Sequence, residues 1–242
     1  MTHRLSLLTM IGLLGVLTWD ATGWDMAVAK IMGDSHGFYL ANNHFLATYL
    51  HTGARHVSLL GAAVLIGTVA RPWGIFKNFS RKQLLWAICT TLLCALLVSV
   101  IKRFSQTSCP WDLEWFGGTV RYISHWRTEG DAGPGNCFPA GHASSAFAFL
   151  PYYFLFAFAS SQTSKLSTVW LTGIFVLGIS LGLVQQLRGA HFTSHTLWTA
   201  WLCWSMAYIS WLFFTPCTGS SLLWDPHDVA KTSNTANTER AG

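Results

Sequence analysis

Residues 83–101 read QLLWAICTTLLCALLVSVI and contain no charged side chain. A helix needs about 20 mostly apolar residues to cross the hydrocarbon core of a bilayer, so this run predicts a transmembrane helix. Uncharged runs that reach this length, some with the help of flanking residues, recur at residues 5–19, 56–70, 143–164, 166–187 and 196–216. The sequence therefore predicts an all-α fold, a polytopic membrane bundle of about six transmembrane helices.

The composition argues against an ordinary soluble protein. Of 242 residues, 51% are hydrophobic and only 10% are charged, against roughly a quarter charged in an average soluble domain. The 13 tryptophans support a membrane protein, because indole rings favour the boundary between hydrocarbon and water. The net charge of +5 comes without a basic stripe interleaved with aromatic residues, so nucleic acid is not an expected partner.

Basic residues predict the orientation of the bundle. Short cytoplasmic loops carry an excess of Lys and Arg, and the loop after the second apolar run contains four basic residues and no acid: Arg71, Lys77, Arg81 and Lys82. With this loop inside, the segments 20–55, 102–141 and 188–195 face outward. We therefore expect a bacterial inner-membrane protein with its site on the periplasmic side. As an alternative for the N-terminus, Arg4, an apolar run and Ala27-Val28-Ala29 loosely fit a signal peptide.

The chain divides into two parts by composition. Residues 1–216 are predicted to form one membrane-embedded domain. Residues 217–242 lose hydrophobicity and gain Ser, Thr, Asn and charge, which is typical of disorder. We expect this last segment to be a disordered cytoplasmic tail.

The residues that suit chemistry fall in three outward segments, at residues 102–115, 137–145 and 185–198. The middle segment includes FPAGHASS at residues 138–145. Pro139 ends the structure before it, Gly141 lets a ligand approach the backbone closely, and His142 begins the next apolar run. A helix N-terminus attracts anions, and a histidine there can transfer a proton near neutral pH. An interfacial histidine at a helix entry would explain the same residues.

The third segment places Arg188, His191 and His195 at spacings of three and four residues. On a helical turn these side chains share one face. Such a trio suits phosphate, because Arg holds two oxygens in a fork and a histidine can attack phosphorus. Two alternatives stay open: interfacial histidines that cap the helix, and a membrane haem or metal protein that uses His142, His191 and His195 as ligands.

Taken in order, the three segments resemble the superfamily of type-2 phosphatidic acid phosphatases and vanadium haloperoxidases. Its pattern is Lys-x6-Arg-Pro, then Pro-Ser-Gly-His, then Ser-Arg-x5-His-x3-Asp. The residues that match the three blocks in turn are Lys102 and Pro110, then Pro139, Gly141 and His142, then His191. The resemblance covers residues 84–216 and implies a metal-independent membrane lipid phosphatase that uses no cofactor.

Several positions depart from this pattern. Ala140 replaces the Ser of the second block, and Val184 and Gln185 replace the Ser and Arg of the third. His195 stands where the family has the Asp that orients the nucleophile. We expect Arg188, one helical turn nearer the nucleophile, to replace the phosphate-binding Arg of the third block.

The first segment departs from the pattern at Cys109, which replaces an Arg. Cys109 and Cys137 are the two cysteines that fall in an outward loop, so we predict a disulfide between them; free cysteines are the alternative. Asp112, or else Glu114, is a candidate for the negative charge that His195 cannot supply. Solvated loop acids would explain both residues equally well.

The resemblance also implies a role for each site residue. His191 is the expected nucleophile, which forms a phosphohistidine, while His142 protonates the leaving oxygen and His195 orients His191. The groups expected to bind phosphate are Lys102, Arg188 and the backbone N–H groups near Gly141. The expected substrate is a lipid-linked phosphate monoester or diphosphate. Phosphate transfer to another lipid and an inactive relative that only binds lipid phosphate are the alternatives.

Overall fold

The computed structural model describes residues 2–127, 129–159 and 163–217, and it is mostly helical. Its regular elements, in chain order, are α1 (Thr2–Thr22), α2 (Trp24–Met32), β1 (Gly33–Asp34), β2 (Gly37–Phe38), α3 (Gly53–Ala70), α4 (Arg81–Phe104), α5 (Gly141–Phe147), α6 (Pro151–Ala159), α7 (Ser164–Leu187) and α8 (Thr193–Cys217). The two strands form one small antiparallel pair. The predicted all-α bundle is confirmed. Cys217, the first residue of the predicted tail, ends α8, and residues 218–242 lie outside the described residues.

Five helical stretches in the described part of the chain are long and apolar enough to cross a membrane. They are α1 from His3, the continuous stretch Phe45–Ala70 formed by a π-helical segment and α3, α4, α7 from Lys165, and α8 as far as Thr215. Their outer faces expose large apolar side chains such as Leu7, Leu60 and Leu96. Apolar surface of this extent marks contact with lipid. The chain is therefore a multi-pass membrane protein.

The fourth apolar run differs from the prediction. Residues 143–164 were expected to form one spanning helix, but the structure has two short helices, α5 and α6, with a break before Pro151. Proline has no N–H to donate, and its ring clashes with the carbonyl one turn earlier, so a helix rarely continues through it. Both short helices are buried against α4, α7 and α8, and Phe147, Leu150 and Tyr152 are fully buried.

Polar contacts between α4 and α8 fix the level at which the two helices pair. Trp86 Nε1 donates a hydrogen bond of 2.8 Å to Ser210 Oγ, whose hydroxyl also lies 2.8 Å from that of Thr90. Both helices rise by the same distance per residue and run in opposite directions. Lys102 lies on the last turn of α4, and the same number of residues counted back along α8 from Ser210 reaches the first turns of that helix. Lys102 and the first turns of α8 therefore lie at the same level.

The ends of α4 and α7 lie beside the starts of α5 and α8, at one end of the bundle. A small apolar core joins the segments that cover this end, and its members are Ala29, Phe38, Leu113, Phe116, Val120 and Phe192. They come from the N-terminal segment, from the loop after α4 and from the turn before α8. The first and third of the segments singled out in the sequence therefore meet here, and the middle segment joins them because the N–H of Ala140 donates a 3.2 Å hydrogen bond to the His195 carbonyl.

Candidate active site

Three histidines lie together at this end of the bundle. His191 occupies the turn between α7 and α8, and its Nδ1 lies 3.4 Å from Nδ1 of His195 on the first turn of α8. The ring centroid of His142, on the first turn of α5, is 6.3 Å from that of His191. His191 is 4% exposed and His195 is 1% exposed. The structure brings together all three of the histidines that the sequence singled out.

Local backbone hydrogen bonds build the turn that carries His191. The N–H of Gly189 donates to the Gln186 carbonyl at 2.9 Å, and the N–H of Ala190 donates to the Gln185 carbonyl at 2.8 Å. This is the Schellman arrangement that ends many helices. It needs the left-handed conformation of Gly189, whose φ is 79°, and glycine adopts that conformation without steric cost. The Gly189 carbonyl also accepts a 3.0 Å hydrogen bond from the N–H of Trp111, so the turn is anchored to the first motif segment.

The surroundings of His191 favour its neutral form. Burial lowers the pKa of its imidazole well below the ordinary value, and positive charge at Lys102, His195 and His142 lowers it further. A hydrogen bond with the backbone of Cys137 only partly opposes this shift. A neutral imidazole keeps a lone pair on one ring nitrogen, which is what a nucleophile needs.

The contact between the two Nδ1 atoms restricts the tautomers of His191 and His195. Two neutral imidazoles can share a hydrogen bond there only if one Nδ1 carries the proton and the other accepts it. When His191 donates, its Nε2 keeps the lone pair and faces away from His195. This tautomer makes Nε2 of His191 the nitrogen that can attack an electrophile.

Lys102 and Gly141 are neighbours in the site. A Cβ atom added to Gly141 would lie 3.5 Å from Cδ and 3.8 Å from Cε of Lys102. The lysine stem therefore passes the start of α5 at close to van der Waals distance. The first and second motif blocks meet at this contact, and the lysine charge reaches His191.

The sulfur atoms of Cys109 and Cys137 form a disulfide, the pair that the sequence predicts. The Cys137 sulfur lies 3.6 Å from Nδ1 of His191 and 3.0 Å from the carbonyl oxygen of Ala190. A disulfide sulfur has no proton to donate, so the short approach to Ala190 is a packing contact. The bond joins the first and second motif segments beside His191, and Cys109 stands where the resembling family has an Arg.

Ligand atoms of Cys137, His191 and His195 lie within 4.8 Å of one another, which is close enough for a shared metal ion. The thiolate is the form of cysteine that binds metals, and Cys137 is in a disulfide. Two imidazoles remain as donors from this group, fewer than the three or four protein ligands of typical zinc sites. This group of three residues therefore does not supply the ligands of a typical zinc site while the disulfide is formed.

Arg188 follows the last residue of α7 and is half-buried. Its Nη1 donates a 3.2 Å hydrogen bond to Oε1 of Gln185, the residue at the position of the family's Arg. Its Nε is buried and has no hydrogen-bond partner among the described residues. Gln185 thus holds the guanidinium on one side and leaves a donor unused. This hydrogen bond of Arg188 is with Gln185 and not with a histidine, so the phosphate-binding role of Arg188 stays a prediction.

Asp112 lies in the loop that carries the disulfide. Its Oδ2 accepts a 3.1 Å hydrogen bond from the N–H of Cys109, and burial raises the pKa of its carboxyl group. Glu114 is exposed, with its nearest cation Arg121 at 3.9 Å. The contact of Asp112 caps its own turn, and its role as an orienting acid stays a prediction.

Two other acids, which the sequence analysis did not assign to the site, reach the start of α8. Asp25 of α2 accepts hydrogen bonds from the backbone N–H of Ser194 at 2.9 Å, from the Ser194 hydroxyl and from Nε1 of Trp19. Asp20 of α1 accepts from Nε1 of Trp198 at 2.8 Å. The sequence contains a signal for both acids, because they closely follow an apolar run in a chain with only 10 acidic residues. Membrane-level acids commonly have a functional role.

A cavity of about 560 Å³ lies next to the histidines, with Ile101, Phe104, Gln106, His125, Arg127 and Phe138 among its lining residues. The rings of His125 and Phe138 line this cavity and also contact His195, with centroid distances of 6.1 and 5.3 Å. Part of the apolar lining belongs to the end of α4, and Ile123 and Phe138 supply the rest from the loop after it. The cavity thus adjoins both the membrane-facing helix and the histidine site.

Fold and site together define a polytopic membrane protein that gathers a lysine and three histidines at one end of its bundle. The family model of the PAP2 superfamily matches residues 83–218, more than half of the chain. The chain belongs to the PAP2 superfamily, and this membership indicates a phosphatase-type activity. Comparison with curated proteins and with solved structures gave no match. The matched region contains α4 to α8 and all three motif segments, whereas α1 to α3 lie outside it.

Proposed function

We propose that this protein hydrolyses a lipid-linked phosphate monoester or diphosphate through a phosphohistidine at His191. The observation that carries the proposal is the 3.4 Å contact between Nδ1 of His191 and Nδ1 of His195. It orients a buried imidazole so that Nε2 is the nitrogen available to phosphorus. Membership of the PAP2 superfamily supports the reaction class.

In the first step, the lone pair on Nε2 of His191 forms the N–P bond while the P–O bond to the leaving group breaks, and the leaving group is the lipid alcohol of a monoester or the lipid phosphate of a diphosphate. His142 gives its proton to the leaving oxygen. The positive charge that develops on the His191 ring is shared with His195 through the Nδ1 proton. In the second step a water oxygen attacks phosphorus, the N–P bond breaks, and the water proton passes to His142. Inorganic phosphate leaves.

Charge on the phosphoryl oxygens needs cationic partners, which supply most of the catalysis in phosphoryl transfer. Lys102 is suited to this role because its stem passes Gly141 at the start of α5. Arg188 is suited because its buried Nε is not used within the described residues. Backbone N–H groups near Gly141 complete the set. Each of these groups acts as a hydrogen-bond donor, and no metal takes part in the proposed steps.

The position of the site supports a lipid substrate on the outer face of a bacterial inner membrane. The histidines lie at the ends of spanning helices, where the phosphate of a lipid resides. The basic loop that includes Arg71 and Lys82 favours a cytoplasmic position for the opposite end. The disulfide between Cys109 and Cys137 lies on the same side as the site, which suits an oxidising compartment such as the periplasm. Reporter fusions at Asn78 and Gly133 test this orientation: we expect cytoplasm and periplasm respectively, and the reverse would overturn it.

Phosphate release by purified protein in detergent tests the activity. We expect release from a lipid phosphate monoester or diphosphate with a chelator present, inhibition by vanadate, and an acid-labile phosphoryl group mapped to His191. A matched control is His36→Gln, which changes an exposed histidine of the same end and should leave release unchanged. Binding of lipid phosphate without release would instead identify an inactive relative. A haem absorption band would place the protein in another class.

A further inference from the structure

Asp20, on the last turn of α1, holds a buried negative charge next to the site. Its Oδ2 accepts hydrogen bonds from three ring N–H groups: Trp198 Nε1 at 2.8 Å, Trp126 Nε1 at 3.0 Å and His125 Nε2 at 3.2 Å. Its side chain is 8% exposed, and its Oδ1 is buried without a partner among the described residues. A buried carboxylate acts over a longer range than a solvated one, because water does not screen it.

His125 links this carboxylate to the catalytic pair. Its Nε2 contacts Asp20, and its ring stacks on Phe138 with centroids 4.3 Å apart. The ring centroid of His195 lies 6.1 Å from that of His125. Trp198 provides a second link, since it holds the same carboxylate one helical turn after His195 on α8. Two side chains, His125 and Trp198, therefore link Asp20 to the surroundings of His195.

The proposed reaction requires negative charge at this place. Attack by His191 leaves positive charge on the pair formed with His195, and Lys102 and His142 add further positive charge nearby. His195 is an imidazole at the position where the resembling family has a carboxylate. Asp112 accepts its hydrogen bond from Cys109 within its own loop. Of the other groups that face this region, Asp25 and Tyr122 lie near enough to Asp20 to interact with it electrostatically.

We propose that Asp20, acting through His125, is a positioning residue that stabilises the positive charge shared by His191 and His195. The inference rests on the proposed phosphatase function. It assigns to α1, which lies outside the region matched by the family, the carboxylate that the third motif block lacks. The protein thus replaces a direct carboxylate partner of the nucleophile by an imidazole with a carboxylate behind it.

Asp20→Asn tests this role, because Asn still accepts from the indoles but carries no charge. We expect kcat to fall about tenfold to a hundredfold, as for other groups that orient a reacting residue. Without the carboxylate the histidines take up a proton less readily, so the acid limb of the kcat–pH profile should move to lower pH. A purely structural role would lower activity without moving this limb. Asp34→Asn, at an exposed acid of the same end, is the matched control and should change neither quantity.

Restoring a carboxylate at position 195 provides the sharper test. If Asp20 supplies the missing charge, Asp20→Asn should cost less than about twofold in a His195→Asp background, because coupled residues are not additive. His125→Asn leaves the indole contacts of Asp20 intact, and if Asp20 acts through His125, Asp20→Asn should also cost less in this background than in the wild type. An active wild type in which Asp20→Asn leaves the acid limb in place, or an equal cost of Asp20→Asn in all three backgrounds, would overturn the inference alone. A wild type that releases no phosphate would overturn the proposed function as well.

Discussion

Nδ1 of His191 lies 3.4 Å from Nδ1 of His195, so two buried imidazoles meet where the family motif pairs an imidazole with a carboxylate. A neutral imidazole at His195 can accept a hydrogen bond from His191 but adds no negative charge of its own. In the proposed mechanism His195 therefore orients His191, and the negative charge that stabilises the His191 cation has to come from another residue. The orientation of His191 and the stabilisation of its positive charge therefore depend on different residues.

Arg188→Lys should reduce kcat/KM by about tenfold to a hundredfold. A hydrogen bond to a charged group contributes about 1.5 to 3 kcal/mol, and lysine cannot reproduce the fork of an arginine on phosphate oxygens. Gln185 should lose its contact with the guanidinium in the same variant. Phosphate release over a range of substrate concentrations measures the change. Arg121→Lys is the control, because Arg121 is largely exposed. Equal effects of both substitutions would show that Arg188 does not bind the phosphate.

Loss of the disulfide should destabilise the loop that separates α4 from α5. The bond spans 28 residues, and the chain-entropy model gives about 3 to 4 kcal/mol for a closed loop of this size. Cys109→Ser with Cys137→Ser should therefore lower the thermal midpoint and the phosphatase rate together, because Cys137 packs against His191. Thiol labelling provides the direct check. Cys109 and Cys137 should react only after reductant and unfolding, and labelling of both without reductant would exclude the bond.

The apolar runs predicted the spanning helices well, because a helix is the simplest structure that satisfies its own backbone in lipid. The break before Pro151 was also encoded locally, but the apolar character of residues 143–164 concealed it. The contacts of Asp20 with His125 and Trp198 could not be derived in this way. They join residues more than 100 positions apart, and their formation depends on how α1 and the loop after α4 pack on α8.

Acid should destabilise the protein through His191. Its pKa is well below 6.5 in the folded protein, whereas an unfolded histidine has the ordinary value. As pH falls below 6.5 the unfolded chain binds a proton that the folded protein does not, so the stability present above pH 6.5 is lost at up to about 1.4 kcal/mol per pH unit. The thermal midpoint measured between pH 8 and pH 5 should therefore fall less steeply for His191→Gln than for wild type. His36→Gln should keep the wild-type slope, and equal slopes in all three proteins would contradict the assignment.

Leaving-group dependence should distinguish the roles of His191 and His142. His191 lies in a rigid turn with its Nδ1 held by His195, which suits a nucleophile, whereas His142 begins α5 beside it. Loss of the nucleophile prevents formation of the N–P bond for every substrate, so His191→Ala should release no phosphate from a lipid phosphate or from an activated aryl phosphate. Loss of a general acid typically costs about 10² to 10⁴ in rate, and the cost shrinks when the leaving group departs without a proton. His142→Ala should therefore be nearly inactive on the lipid phosphate and retain part of the aryl phosphatase activity. Turnover of the aryl ester by His191→Ala, or a phosphoryl adduct on His142, would show that the two roles are reversed.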